Sequence, residues 1–282
     1  MLHCGKFKLE LSRPLVMGIV NVTPDSFSDR GRHLHSEAAL AHARQLIEEG
    51  ADLLDIGGES TRPGAAPVDA QQELDRVLPV LEGLCDVPVP LSVDTRKAEV
   101  MRAALAAGAS MVNDVNALRE PEALAAVAAS DAAVCLMHMQ GDPENMQFEP
   151  HYRDVMSEVM TFLRMRIATV QAAGIARERI VIDPGFGFGK TLAHNMALLR
   201  GLKAFAGLGV PVLAGLSRKS MLGAITGQPV EQRLAASIAA ALLAVRHGAK
   251  IVRVHDVRAT VDALKVWSAV DCQAPAEAGA HN

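Results

Sequence analysis

One pattern recurs along the chain and limits the folds open to it. A short apolar run, of strand length, stops on a polar side chain and is followed by an Ala/Leu-rich stretch of helical character. The runs are PLVMGIVN ending at Asn21, ADLLDIGG with Asp55, VPLSVD at Asp94, ASMVND at Asn113 and Asp114, AVCLMH at His138, RIVIDPG at Asp183, VPVLAGLSRK at Ser217 to Lys219, and AKIVRVHD at Arg253 to Asp256. Strands joined by helices all point the same way, so their polar ends collect on one face. About eight such units are the number that closes a (β/α)8 barrel, whose active site lies at the C-terminal ends of the strands. An open doubly wound sheet would call for an edge strand and a switch point, and neither is signalled.

The expected architecture is α/β: a single (β/α)8 TIM barrel over residues 1–282, with 1–13 as an N-terminal extension and 271–282 as a flexible tail. Helices are expected over about Ser36–Glu49, Ala70–Leu84, Arg96–Ala107, Pro121–Ala129, Tyr152–Ala173, from near Leu192, over Pro229–His247, and up to about Trp267. The strand before Lys219 is expected over Val210–Ala214. Two βα loops are long, Val22 to His35 and Gly57 to Asp69, and their Pro, Gly, Asp, Ser and Thr content suits mobile active-site lids.

Half of the chain is hydrophobic but only 3% is aromatic, so the core must be aliphatic. A formal charge of −4 argues against a general nucleic-acid or membrane surface, and an anionic ligand would need a local basic pocket. Four scattered cysteines without CxxC spacing read as reduced thiols. Cys135 and His138 lack a second ligand pair, so Cys135 reads as a buried structural thiol. With no signal-like start and no apolar run of membrane length, a cytoplasmic protein is expected. The Pro229–His247 helix is apolar nearly all round, which burial against the barrel on one side and a second subunit on the other would explain. Met17, Met101, Met111 and Met165 read as core filler. His33, His35, His42 and His151 are assigned to the surface.

The chemistry sits at the strand ends. DPGFGFGK, Asp183 to Lys190, is not a P-loop, because Pro184 stands where a first Walker glycine would be. Its glycines allow close backbone approach to a flat ligand on which Phe186 or Phe188 can stack. Asp183 suits a donor–donor ring edge, or caps a tight βα turn. Asp94 and Asn113 end adjacent strands and should be neighbours; Asp94 can also cap the following helix, and Asp114 a turn. Lys219, Arg253 and His255 bring positive charge where such barrels hold phosphate, or pair with the carboxylates. Arg62 adds a cation on the second lid, Ser220 a hydroxyl where a short helix begins, and Asn21 an amide oxygen able to ligate Mg²⁺.

NVTPDSFSD (Asn21 to Asp29), DIGGESTRPG (Asp55 to Gly64), SVDT (Ser92 to Thr95), DPGFGFGK, GLSRKS (Gly215 to Ser220) and RVHD (Arg253 to Asp256) resemble, in order and over about Pro14 to Trp267, the bacterial dihydropteroate synthase family of pterin-binding TIM barrels. That resemblance implies condensation of 6-hydroxymethyl-7,8-dihydropterin diphosphate with p-aminobenzoate, giving 7,8-dihydropteroate and pyrophosphate in folate synthesis, with Mg²⁺. It implies a pterin site of Asp94, Asn113, Asp183 and Lys219 walled by Met137 and Phe188. Asn21, Thr61, Arg253 and His255 take the diphosphate, with Asn21 on its metal, and Phe27, Arg62, Pro63, Lys219 and Ser220 the p-aminobenzoate. The catalytic set carried over is Asp94, Lys219, Arg253 and His255, with Asp25 on the first lid. Sulfonamides resemble p-aminobenzoate, so competition is expected. Two other functions fit a pterin barrel: methyl transfer from methyltetrahydrofolate to a corrinoid, and non-catalytic pterin binding. The STRPG and SRKS loops disfavour the first, and the Arg253/His255 pair the second.

Overall fold

The computed structural model describes residues 1–22, 32–60, 67–142 and 145–271, with the side chains of 32–35 and 271 left aside. A short antiparallel hairpin opens the chain, β1 (Leu2–Cys4) and β2 (Phe7–Leu9), turning at Gly5 with φ +54°. Eight parallel strands follow: β3 (Leu15–Asn21), β4 (Leu53–Gly57), β5 (Leu91–Asp94), β6 (Met111–Asp114), β7 (Ala133–Met137), β8 (Ile180–Asp183), β9 (Leu213–Ala214) and β10 (Ile251–Val254). They pair in the order β8-β7-β6-β5-β4-β3-β10-β9, and an Ile182–Val212 bridge joins the two ends, so the sheet closes on itself.

Helices α1 (Arg32–Glu48), α2 (Ala70–Gly83), α3 (Ala98–Ala106), α4 (Pro121–Ala128), α5 (Val155–Ala172), α6 (Leu192–Arg200), α7 (Ser220–Thr226), α8 (Leu234–Arg246) and α9 (Val257–Asp271) surround it. Strands buried on both faces read as unbroken apolar runs, which is why β4 and β7 are buried at every position. Outward residues such as Val16, Leu54, Val112 and Val134 pack under the helices, joined by Val77, Val80 and Leu81 of α2. Asp69 starts that helix by accepting from the Gln72 amide at 2.8 Å.

Inward residues form a second cluster: Leu15, Met17, Leu53, Met111, Ala133, Cys135, Val181, Leu213 and Ile251, closed from below by Leu2 and Cys4 of the hairpin. Strand side chains alternate, so the residue two places beyond each inner apolar one also faces inward. Leu53 is followed by Asp55, Met111 by Asn113, Val181 by Asp183, Leu213 by Gly215 and Ile251 by Arg253. A dry floor and a polar mouth are thus consecutive levels of the same strands.

Several element bounds differ from the sequence expectation. Residues 1–13, expected only as an extension, contain the hairpin, whose three-residue strands leave no period in the sequence. β9 is two residues rather than Val210–Ala214. α8 begins at Leu234, since Val230–Gln232 forms its own single turn and Arg233 bonds the Gln228 and Arg218 carbonyls. α5 begins at Val155, after Asp154 accepts from the Met156 amide, and α3 at Ala98. α1 starts earlier than Ser36, at Arg32. Met165 is a correction: it is 64% exposed on α5, whereas Met17, Met101 and Met111 are buried as expected. His151 is exposed and His42 half-buried.

Candidate active site

Strand register builds the site. Asn21 stands opposite Gly57, Gly57 opposite Asp94, and Asp94 opposite Asn113, across four adjacent strands. A Cβ on Gly57 would stand 3.5 Å from the Asp94 Cβ and 4.0 Å from Asn21 Oδ1, so the glycine leaves these two side chains a shared space. On the other side of the mouth Met137 is level with Asp183. A Cβ on Gly215 would lie 3.8 Å from Asp183 Oδ2 and 3.9 Å from the Arg253 Cβ, so those two residues flank the same hollow.

Arg253 ties the carboxylates together. Its Nε donates to Asp55 Oδ2 at 2.5 Å and its Nη2 to Asp94 Oδ2 at 2.7 Å, while the Asn113 amide donates to the same Asp55 oxygen at 2.9 Å. Asp55 is fully buried, and the two carboxylates hold the guanidinium well above its ordinary pKa despite burial. Burial raises the Asp94 carboxyl to about 7, against the opposing pull of Arg253. Asp94 does not cap α3, whose preceding residue is Lys97; Asp114 does cap a turn, accepting from the Asn116 and Leu118 amides at 2.8 Å each. Asp55 is the residue that sequence reasoning left out of the site. Its signal was the carboxylate of the ADLLDIGG run, which stands two residues before the end of β4 rather than at it.

The glycine loop makes the opposite wall. Asp183 Oδ1 accepts from the Gly185 amide at 2.7 Å, and burial pushes its carboxyl pKa upward. Phe186 is fully buried in the core, so of the two candidates Phe188 faces the mouth, in a cluster with Val115, Met137, Met139 and Met146. Lys219 donates to the Phe186 carbonyl, and its ammonium lies 4.5 Å from the centre of the Phe188 ring. Burial lowers this ammonium to about 8, opposed by Asp183. His255 Nδ1 is 2.9 Å from Ser217 Oγ, which also accepts from the His255 backbone amide. Since the hydroxyl oxygen accepts there, its hydrogen can serve Nδ1, leaving the Nε2 side as donor. The next residue, Arg218, has φ +58° and pairs with Asp256. Ser220 is exposed at the start of α7.

Asn21, Asp94, Asn113, Met137, Asp183, Phe188, Lys219, Ser220, Arg253 and His255 are therefore all at the strand ends or the loops that leave them. The expectations for Asp25, Phe27, Thr61, Arg62 and Pro63 lie outside the described residues. Among the described residues no three His, Cys, Asp or Glu side chains converge as a metal cluster, and Cys135 is buried. No described helix is long and apolar enough to cross a membrane. Chemically, the hollow offers acidic acceptors and an amide on one wall, an apolar slot beside them, and cations at the rim.

The family model for pterin-binding enzymes matches residues 17–255. The chain is 54% identical over 273 residues to a dihydropteroate synthase of Neisseria meningitidis serogroup C, covering 95% of this chain and 96% of that protein. Among solved structures it is similar to a Xanthomonas albilineans dihydropteroate synthase with 4-aminobenzoic acid, at 60% identity and a TM-score of 0.89, covering 94% of this chain and 95% of that one. It is also similar to the Burkholderia cenocepacia dihydropteroate synthase complexed with 7,8-dihydropteroate, at 54% identity and a TM-score of 0.88, covering 95% of each chain.

Proposed function

We propose how this chain, which belongs to the pterin-binding enzyme family, carries out the reaction of a dihydropteroate synthase. One observation supports the reading above the rest: Asp94, Asn113, Asp183, Lys219 and Arg253, far apart in sequence, converge on one hollow at the strand ends. The substrates are a pterin methyl diphosphate and p-aminobenzoate, the products 7,8-dihydropteroate and pyrophosphate. With relatives of this identity being synthases, the corrinoid methyltransferase alternative has no support.

Asp94, Asn113 and Asp183 take the N–H-rich edge of the pterin, because buried carboxylates and N–H groups satisfy each other. Met137 and Phe188 sandwich the ring, and Lys219 reaches it from beside Phe188. Arg253 commits Nε and one Nη2 hydrogen to carboxylates, which leaves the Nη1 pair for a diphosphate oxygen. His255, with Nδ1 engaged by Ser217, turns its other nitrogen to the same group. Thr61 joins them; Phe27, Arg62, Pro63, Lys219 and Ser220 hold the p-aminobenzoate, and Asp25 works from the first lid.

The donors suit a magnesium ion that arrives with the diphosphate. Mg²⁺ keeps most of its waters and takes one or two protein oxygens beside phosphates, and the Asn21 amide oxygen, turned over Gly57, is such a donor. When bound, the ion would offset charge on the leaving diphosphate. The C–O bond then ionises: its electron pair leaves on pyrophosphate, and the pterin methylene becomes a cation delocalised into the ring. Asp94 and Asp183 favour that positive charge, Arg253 and His255 the developing negative one. The arylamine nitrogen forms the new C–N bond and loses a proton.

Positional isotope exchange tests the sequence of steps. With labelled bridging oxygen and no p-aminobenzoate, scrambling into the non-bridging position is expected; its absence, with cleavage dependent on amine nucleophilicity, would mean direct displacement. We further place the chain in the cytoplasm, supported by the free thiols of Cys4, Cys85 and Cys135. A homodimer through α8 is supported by its exposed Leu234 and Leu243 and by the neighbouring Ile225 and Val230. Light scattering at micromolar protein should give twice the chain mass, and a monomeric mass would defeat it.

A further inference from the structure

Lys190 is 3% exposed, carries no role in the chemistry above, and among the described residues meets two carbonyls and an imidazole rather than a carboxylate. Its Nζ donates to Phe188 O at 2.8 Å and to His138 O at 3.3 Å, and lies 3.0 Å from His138 Nδ1. In its ammonium form Lys190 has three hydrogens and no lone pair, so these three acceptors use it fully and His138 then presents Nδ1 as the acceptor. A buried charge is expensive unless its bonds matter to something. What they join is specific: His138 directly follows Met137, and Phe188 is the facing wall of the apolar slot.

The two segments already lie against each other. A Cβ on Gly185 would stand 1.9 Å from His138 O, and one on Gly189 2.5 Å from Gln140 O, both at positive φ. Tyr152 Oη donates to Gly189 O at 2.8 Å and Asn195 Oδ1 accepts from the Gly187 amide at 2.8 Å, fixing the flanks of the loop. Among the described residues, Lys190 alone bonds the Phe188 carbonyl to the strand end that carries Met137.

We propose that Lys190 is a positioning residue for pterin binding: it sets the gap between the Met137 and Phe188 walls by clamping the backbone behind each. The inference rests on the pterin-site reading given above. Lys190→Met leaves the acceptors unpaired and lets Phe188 drift, while the rim that meets p-aminobenzoate keeps its groups.

The test is a double-mutant cycle on the full-length chain, with calorimetric binding of 6-hydroxymethyl-7,8-dihydropterin diphosphate and steady-state KM for each substrate. Lys190→Met should weaken pterin diphosphate binding about ten- to fiftyfold, with KM for p-aminobenzoate changed less than about threefold. Phe188→Ala should weaken it too, and the double variant should be no more than about twofold worse than the weaker single, because both changes remove the same wall. Pterin affinity within twofold of wild type in Lys190→Met, or multiplicative effects in the double variant, would overturn the role of Lys190 alone. Unchanged affinity in Phe188→Ala would remove the wall reading itself, and this inference with it. Should Lys190→Met not fold by circular dichroism, Lys190→Gln, which keeps two donors, carries the test. There a three- to tenfold loss (roughly,) confined to the pterin is expected, and equal loss for both substrates overturns the proposal.

Discussion

Asp55→Asn probes the residue that ties Arg253 and Asn113 together. The change is isosteric, and its carbonyl oxygen can take the place of Oδ2, keeping the bonds from Arg253 at 2.5 Å and Asn113 at 2.9 Å. What disappears is the charge. Removing one partner of a buried pair costs about 3–5 kcal/mol. Arg253 keeps Asp94 at 2.7 Å, and a charge-assisted bond is about twice as strong as a neutral one, so about half of that cost, roughly 1.5–2.5 kcal/mol, should be felt. For a chain of this size that is a fall of about 3–10 °C in Tm. If the same energy serves to aim the guanidinium, kcat/KM for the pterin diphosphate should drop about 10- to 100-fold. Thermal unfolding and coupled pyrophosphate release would measure both. A variant with lowered Tm but wild-type or higher kcat/KM would refute the aiming argument, since it would mean that Asp55 only restrains the cation that the diphosphate needs.

Asp183→Ala removes an acceptor that already serves the Gly185 amide at 2.7 Å, so pterin binding should weaken by about 2–4 kcal/mol, and unchanged affinity by calorimetry would exclude the role. Lys219, lowered by burial to about 8, is charged below that pH and neutral above it, so kcat/KM for the pterin substrate should fall as pH rises past about 8; Lys219→Arg stays charged and should lack that limb. The stability of the ligand-free chain has the opposite sign: with the folded pKa depressed below 10.5, the unfolded state binds more protons between about 8 and 10.5, so this group makes stability rise with pH across that window in chemical denaturation. Gly185→Ala places a Cβ 1.9 Å from a backbone oxygen at φ +73° and should cost at least about 2 kcal/mol, seen as a Tm loss of more than about 4 °C.

The barrel was legible because each parallel strand is a nearly unbroken apolar run that ends on one polar residue, and the mouth residues were legible because they are those ends. Asp94 and Asn113 proved to be register partners for that reason. Asp55 was harder, because it lies two residues inside its strand's end rather than at it, and only the closed sheet reveals that Arg253, 198 positions away, reaches it. The choice between Phe186 and Phe188 was likewise invisible in GFGFG; positive φ at Gly185, Gly187 and Gly189 decides which ring is swallowed by the core. Lys190 read as the end of a nucleotide-like loop, whereas one of its partners, His138, directly follows β7, a strand whose approach no local pattern encodes. The hairpin was missed for want of length, although Leu2 and Cys4 supply the floor of the barrel.

Three carboxylates, Asp55, Asp94 and Asp183, share the hollow with two cations, Lys219 and Arg253. Such burial gains the fold little, since buried pairs roughly break even against apolar replacements. It does give the cavity a fixed internal field. On the proposed binding mode, a pterin edge against Asp94 and Asp183 and a diphosphate beside Arg253 would put the breaking C–O bond along that field. Its positive end forms near the carboxylates and its negative end near the guanidinium. Fixed charges of this kind do not have to reorient while the bond breaks, as water would, and that difference is what lowers the barrier. If Arg253 takes the diphosphate as proposed, its two carboxylate bonds would fix it before substrate arrives: a freely swinging guanidinium would follow the diphosphate, but it could not pull on it.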